Sequence, residues 1–446
     1  MARRLNIVYL NSHDTGRYIQ PYGHAVPTPN LQRFAEQGVL FRRAFCNAPT
    51  CSPSRAALLT GMHAHQCGML GLAHRGFQLN DPDHHLARHL HAHGYRTAQC
   101  GINHVGDVGY DDQLPNGDGR ERTDNVCRWL RDLTPDAGPF YLEVGFNETH
   151  RTAGKQLQWH NGPDSPAGDP RYVRVPDPLP DTPQTRADFA DYVVAAERLD
   201  GFYGDILTAL DDAGHTDDTL VIITTDHGIA FPGMKCSLTD HGTGVLMMLR
   251  GPDPATCGGK VVDALVQHLD VFPTVCAAAG VETPERLEGR SLLPLCAGAV
   301  GSLHEELFAE VTYHAAYEPK RSVRTDRWKY IRRFDDQHTT QVLPNVDPSP
   351  TKDVLIDAGW SETALPSEQL FDLQLDPNEA NNLADRGTHE PVLTDMRARL
   401  DAWMQRTGDP LVQGPVPLPP GATCNPRTGR QPTEEPTVYP EGGVAP

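Results

Sequence analysis

A cysteine, an arginine four residues after it and two Asp/His pairs far apart in the chain offer the most chemistry in this sequence. Cys51 opens the segment Cys51-Ser52-Pro53-Ser54-Arg55-Ala56-Ala57-Leu58-Leu59-Thr60-Gly61. Pro53 suits a first helical turn, residues 55–60 favour a helix and Gly61 is a natural stop, so Cys51 is expected at a helix N-terminus. Backbone N–H groups and the helix dipole there favour an anion, either a thiolate or the oxygens of a bound sulfate or phosphate. Arg55 falls on the first turn and can reach back toward Cys51 with two-pronged geometry. For a cysteine taken alone, a buried structural thiol is the more usual role. His13-Asp14 and Asp226-His227 come directly after two apolar runs, residues 5–10 and 220–225.

The elements that must position these groups are legible as a pattern. Both apolar runs read as buried parallel strands. Residues 96–101 and 140–146 are further strand candidates, alternating with helical patterns near 30–37, 84–93, 125–133 and 187–212. That alternation indicates an α/β fold with a mostly parallel central sheet flanked by helices. Ligands of such sheets bind beyond the carboxyl ends of strands, where His13, Asp14, Asp226 and His227 are expected. Residues 244–250 form another apolar run, and 262–279 reads as one amphipathic helix containing Pro273. Beyond about residue 300 the pattern changes to short antiparallel strands at 306–312, 320–325 and 328–334, closed by a helix at 391–406. The expected organisation is a catalytic domain over 1–300, a smaller α+β domain over 301–410 and a Pro/Gly-rich arm over 411–446.

Bulk properties narrow the function. A chain of 446 residues with 38% hydrophobic composition can build sizeable cores. The N-terminal apolar run is too short for a signal-peptide core, and no run approaches membrane-spanning length. A cytoplasmic protein without membrane contact is expected, with its ten cysteines mostly reduced. The net charge of -19 repels nucleic acid and anionic membranes and suits a small substrate, with homo-oligomerisation left open.

The segment 51–61 matches every fixed position of the sulfatase signature: Cys or Ser, any residue, Pro-Ser-Arg, three residues, Leu or Met, Thr-Gly. The wider chain resembles the sulfamidase branch of that family and its bacterial relatives. The resemblance rests on His65-Gln66, Gly68-Met69, Gly101 with His104-Val105-Gly106, Thr149-His150-Arg151, Asp226-His227-Gly228, Phe231-Pro232 and the stretch 368–383. It implies an alkaline-phosphatase-like fold, and a Cys51 oxidised by a formylglycine-generating enzyme to formylglycine. The hydrate of that group attacks sulfur with one hydroxyl and expels sulfate with the other, so a covalent nucleophile splits one hard step into two. By the same resemblance Arg55 supports the nucleophile and its metal-site neighbours, His104 assists elimination, His150 contacts sulfate and protonates the leaving group, and Lys235 contacts sulfate. Arg151 joins His150 and Lys235 as a substrate-binding candidate.

The resemblance further implies one divalent metal ion held by residues 13, 14, 226 and 227 together with the group at Cys51. His13 stands where the family usually has Asp. Calcium is the family expectation, but two imidazoles beside Asp14 and Asp226 move the preference toward manganese, zinc or iron. Ile102 replaces a family lysine in Gly101-Ile102-Asn103-His104, removing one cation that Asn103 or Arg17 would have to replace. The cluster His84, His85, His89, His91 and His93 is expected to be peripheral rather than metal-binding. The expected reaction is hydrolysis of a sulfate ester or sulfamate, with a sugar as a candidate substrate. The alternatives are a phosphonate monoester or phosphodiester hydrolase using the same groups, and a catalytically silent binding protein of the same fold.

Overall fold

The computed structural model describes residues 4–134, 138–152, 159 and 166–445. Its central sheet has the strand order Asp112–Gln113, Arg96–Gly101, Phe140–Gly145, Asn6–Ser12, Thr219–Thr225, Met247–Arg250, Val39–Phe41, Lys260–Val262. Within this sheet Met247–Arg250 runs antiparallel to both neighbours, and the other pairings are parallel. Asn6–Ser12 and Thr219–Thr225 are buried along their whole lengths, which is why each reads as an unbroken run rather than an alternation. They pair flush, from Asn6 opposite Thr219 to Ser12 opposite Thr225. Residues 13–14 and 226–227 therefore leave the sheet side by side.

Alternation of side chains sends Ile7 and Tyr9 to one face and Val8 and Leu10 to the other. The Val8 face packs under helices Pro29–Gln37, Gly119–Arg131 and Pro183–Asp212 through residues such as Phe34, Leu130 and Tyr203. The Ile7 face packs against Leu58 and Leu59 of helix Cys51–Thr60 and against Val271 and Phe272. The single helix expected over 262–279 is replaced by two short strands, Lys260–Val262 and Val266–Gln267, a 3-10 turn His268–Asp270 and a helix Val271–Ala279. Asp270 sets this later start, accepting from the Gln267 N–H at 2.9 Å. Pro273 then lies in the first helical turn, where its missing N–H costs nothing.

A second, antiparallel sheet orders Glu306–Tyr313, Tyr317–Thr325, Trp328–Arg333 and Glu368–Asp372, with helix Glu390–Thr407 beside it. Residues 411–445 fold back onto this unit: Leu411, Val416, Leu418, Ala422 and Cys424 are buried in the same core as Tyr313 and Trp403. Ala422–Cys424 pairs antiparallel with Thr437–Tyr439, making a small hairpin.

Glu310 ties the second sheet to the segment after helix Cys51–Thr60. Its carboxylate accepts from the His65 backbone N–H at 3.1 Å and lies 2.9 Å from His65 Nδ1. Arg321 approaches it at 3.4 Å and forks onto Asp409 at 2.5 and 3.0 Å. Burial raises the Glu310 carboxyl, but His65 and Arg321 outweigh it and bring the pKa from 4.5 to about 2. A depressed folded-state pKa gives stability that is complete above about pH 4.5 and lost as pH falls toward 2. Glu310→Gln is therefore expected to melt lower than the parent at pH 7, with the gap narrowing between pH 5 and pH 3. Thermal melts followed by circular dichroism across that range check this, and a gap independent of pH would refute it.

Candidate active site

Asp226 is fully enclosed where the two central strands end. Its Oδ1 accepts from the backbone N–H groups of Asp14 at 2.8 Å and His227 at 3.0 Å. Its Oδ2 lies 3.1 Å from Arg55 Nη2 and 3.2 Å from His13 Nδ1. Burial raises this carboxyl, yet His227, His13 and Arg55 hold it well below the ordinary carboxylate range. Asp14 takes a left-handed backbone conformation, φ 60°, which short polar side chains tolerate and which brings its carboxylate to His13 Nδ1 at 2.7 Å. His104, also left-handed at φ 58°, stacks edge-on to His13 with ring centres 5.1 Å apart. Burial and then the neighbouring positive charge lower His104 to about 2, and burial lowers His13 to about 3, so both imidazoles are neutral near pH 7.

Cys51 is the first residue of helix Cys51–Thr60, whose end at Gly61 (φ 67°) is a left-handed cap that glycine accepts without strain. Its Sγ and the ligand atoms of His13, Asp14, Asp226 and His227 all lie within 4.8 Å of one another. Burial pushes the thiol well above its usual pKa, beyond what Lys235 and Arg55 restore. As an unmodified thiol, Cys51 is neutral and a poor nucleophile. Lys235 Nζ lies 2.9 Å from Asp14 Oδ2, 2.9 Å from Asp347 Oδ2 and 3.2 Å from His150 Nε2. Burial lowers this ammonium's pKa, but Asp14 and Asp347 outweigh it and keep it firmly charged. His150 donates from Nδ1 to the Arg151 carbonyl, which turns Nε2 toward Lys235.

The donor set fits a divalent cation. His227 donates from Nδ1 to the Gly228 carbonyl at 3.0 Å, leaving Nε2 with a lone pair. That Nε2 is buried without a hydrogen-bond partner, 3.2 Å from Asp14 Oδ1. Two acceptors facing each other at this distance repel unless a cation stands between them. His13, Asp14, Asp226 and His227 supply the mixed nitrogen and carboxylate ligands such an ion takes.

A cavity of about 340 Å³ opens above Cys51 and is lined by His104, His150, Lys235, Ile102 and Asn147 among others. The sequence-derived candidates therefore converge, with three corrections. Arg55 does not fork onto Cys51 but, as the resemblance also implied, supports its neighbours: its guanidinium binds Asn11 Oδ1, the Ser12 carbonyl at 2.9 Å and Asp226, so it positions the carboxylate cluster. Arg151 is not available to an anion, being forked onto Asp188 at 2.7 and 2.9 Å and stacked on Trp159 and Phe231. It contributes wall rather than charge. Neither proposed substitute for the missing lysine serves. Asn103 binds Gly106 and Val105 within its own loop, and Arg17 reaches the Asp240 carbonyl and stacks on Phe45.

In the five-histidine segment the His89 and His93 rings lie 4.4 Å apart, and His85 is fully buried rather than peripheral. His85 caps helix Leu86–Ala92, His89 meets the Glu282 carbonyl and His91 meets Asp111. Sequence reasoning missed Asp347 and residues 431–433, which line the cavity together with His314. Asp347 carries no motif, and neither do residues 431–433.

Comparison with known proteins agrees with this geometry. Residues 5–281 match the family model Sulfatase, and residues 235–365 match the model for the C-terminal region of N-sulphoglucosamine sulphohydrolase. The chain is 32% identical to the N-sulphoglucosamine sulphohydrolase of Homo sapiens, over 93% of this chain and 92% of that protein. It is 25% identical to an ulvan-active sulfatase of Formosa agariphila, over 92% and 76%. A solved 2-O GAG sulfatase superposes with a TM-score of 0.68 at 20% identity, covering 99% of both chains. A protein solved with its substrate D-glucosamine-2-N,6-O-disulfate superposes at 0.67 and 16% identity, over 93% of this chain and 99% of that one.

Manganese or zinc at a hundred times its dissociation constant is expected to stabilise the protein by about 2.7 kcal/mol. His227→Ala should abolish the resulting rise in melting temperature. Differential scanning fluorimetry after chelator treatment and metal add-back measures this. An equal rise in the variant would show that the ion binds elsewhere.

Proposed function

The chain belongs to the sulfatase family and is a sulfuric ester hydrolase of the sulfatase and sulfamidase type; from that premise we propose that it removes the sulfo group from a small sulfated amino sugar, using a formylglycine made from Cys51. The observation that carries the reading is the gathering of Cys51, His13, Asp14, Asp226 and His227 within 4.8 Å at the floor of a cavity that Lys235 and His150 also face. Similarity to N-sulphoglucosamine sulphohydrolase over nearly the whole chain, and the glucosamine substrate of one structural neighbour, support an amino sugar. A neutral, buried thiol is a poor nucleophile, which supports conversion of Cys51 by a maturing enzyme before it serves.

In this reading one hydroxyl of the hydrated formylglycine attacks sulfur, and the S–N or S–O bond to the leaving group breaks. Lys235 holds the sulfo oxygens, and the Lys235–His150 pair, in contact at 3.2 Å, protonates the departing atom. The second hydroxyl then gives up its proton to His104, whose ring lies 5.1 Å from that of His13, the C–O bond to sulfate breaks, and the aldehyde re-forms for rehydration by water. A divalent ion held by His13, Asp14, Asp226 and His227 would polarise the sulfo oxygens and lower the pKa of the hydrate. Two imidazoles in that set favour manganese, zinc or iron over calcium. Asp347 and Asp14 keep Lys235 charged and aimed.

Three measurements test this. The Cys51 peptide from the native host is expected to be lighter than the thiol form, and Cys51→Ala to be inactive. His150→Ala should lower turnover of glucosamine N-sulfate about a hundredfold, the low end for loss of a general acid. Turnover of 4-nitrophenyl sulfate, whose leaving group needs little protonation, should fall much less. Persistent thiol in active native protein, or cleavage restricted to phosphonate and phosphodiester substrates, would overturn the proposal.

A further inference from the structure

The hairpin at the end of the chain brings its loop onto the cavity. Strands Ala422–Cys424 and Thr437–Tyr439 pair antiparallel, and residues 425–436 join them. Gln431, Pro432 and Thr433 of that loop line the same cavity as Cys51, His150 and Lys235. Neither matching family model extends past residue 365, so this wall is built by a part of the chain that the shared family pattern does not describe.

The loop is anchored from several directions. Gly76, at φ 100°, approaches the hairpin so closely that a Cβ there would lie 2.8 Å from Ala422 Cα. Arg75, itself a cavity residue, donates to the Pro432 carbonyl at 3.1 Å. The Asn425 N–H donates to the Ala315 carbonyl at 2.8 Å, and Lys352 Nζ donates to the Arg430 carbonyl at 2.7 Å. Glu434 accepts from the Arg430 and Gln431 N–H groups at 3.0 and 3.1 Å. A loop held by this many bonds presents its side chains in defined places, as selective contacts require.

The chemistry of that wall is hydrogen-bonding, with neutral side chains beside one guanidinium. Gln431 brings an amide and Thr433 a hydroxyl, beside Asn147 and His74. Its guanidinium, Arg75, already donates to the Ala315 and Pro432 carbonyls, and Asp347 is ion-paired with Lys235. A cavity of about 340 Å³ is at the small end of ligand pockets. We infer that Gln431 and Thr433 are specificity-determining residues that hydrogen-bond the hydroxyls of the leaving group, selecting a single uncharged sugar ring over sulfated groups without hydroxyls. The inference rests on the sulfohydrolase reading above and adds the recognition of the leaving group.

The test uses full-length protein with Cys51 conversion confirmed by mass. The readout is the ratio of kcat/KM for glucosamine N-sulfate to that for 4-nitrophenyl sulfate, in the parent, Gln431→Ala, Thr433→Val and, as a control on the same hairpin, Glu435→Ala. Each of the first two variants should lower the ratio about three- to tenfold, the loss of one neutral hydrogen bond, mainly through KM of the sugar. Glu435→Ala should leave it unchanged. Melting temperatures report whether each variant is folded, and a Gln431→Glu variant, which keeps an acceptor, should recover part of the ratio should Gln431→Ala fold poorly. A parent that cleaves neither substrate refutes the sulfohydrolase reading itself. A parent that cleaves the aryl ester without preferring the sugar, or a ratio unmoved in both loop variants, refutes the role of the loop alone.

Discussion

The site depends on one buried carboxylate. Asp226 receives two backbone N–H groups on one oxygen and Arg55 on the other, with His13 Nδ1 3.2 Å from that second oxygen. The carboxylate fixes the turn after Asn6–Ser12 against the turn after Thr219–Thr225 and gives Arg55 the counter-charge that its burial demands. Without it, the guanidinium would be left uncompensated in the interior, a defect of about 3–5 kcal/mol. The flush register of the two strands is what delivers Asp226 to the Asp14 N–H. A slip by one residue would exchange the two faces of the strand and separate the cluster.

The charges around that carboxylate bear on why the cluster suits a cation. Asp14, Asp226 and Asp347 oppose Arg55 and Lys235, while His13 and His104 are held neutral by burial. Among these groups one negative charge is left over, and the Arg75 guanidinium on the cavity wall offsets it. A divalent cation makes the balance positive, opposite in sign to a sulfate ester or sulfamate. The neutral histidines matter to this result, since a carboxylate in place of His13 would lower the charge of the loaded site by one. His13 in that light is a change of charge as much as a change of ligand.

How much of this was legible in the sequence follows from which interactions are local. The Cys51 segment, the Asp/His pairs and the two central strands were visible because each is carried by a few consecutive residues whose pattern reflects burial. The helix over 262–279 was overextended because apolar periodicity continues through Val266 and Leu269, and only the tertiary role of Asp270 breaks it. Arg151 looked like an anion-binding arginine because it follows His150, but a partner 37 residues away, Asp188, had claimed it. Asp347 and the 425–436 loop were missed for the same reason: their contribution comes from contacts across the fold. A Pro/Gly-rich composition indicates an irregular backbone, yet Leu418, Ala422 and Cys424 within it bury apolar surface and hold it in place.

Ile102 brings these points together. It sits at the end of the Arg96–Gly101 strand with its N–H bonded to the Gly145 carbonyl at 3.1 Å, and it lines the cavity where a family lysine would stand. Neither Asn103 nor Arg17 restores that charge, since both are engaged elsewhere. On the proposed reading Lys235 serves the sulfo group while shared between two carboxylates, each 2.9 Å away. Its attraction for a further anion is reduced by both. The burden of offsetting the sulfo group then shifts from side-chain cations toward whatever ion the Asp226 cluster holds, and binding of the remainder of the substrate shifts toward neutral hydrogen bonds. A site poor in free cations and rich in amides, hydroxyls and neutral imidazoles is suited to a leaving group that brings hydroxyls rather than further charge.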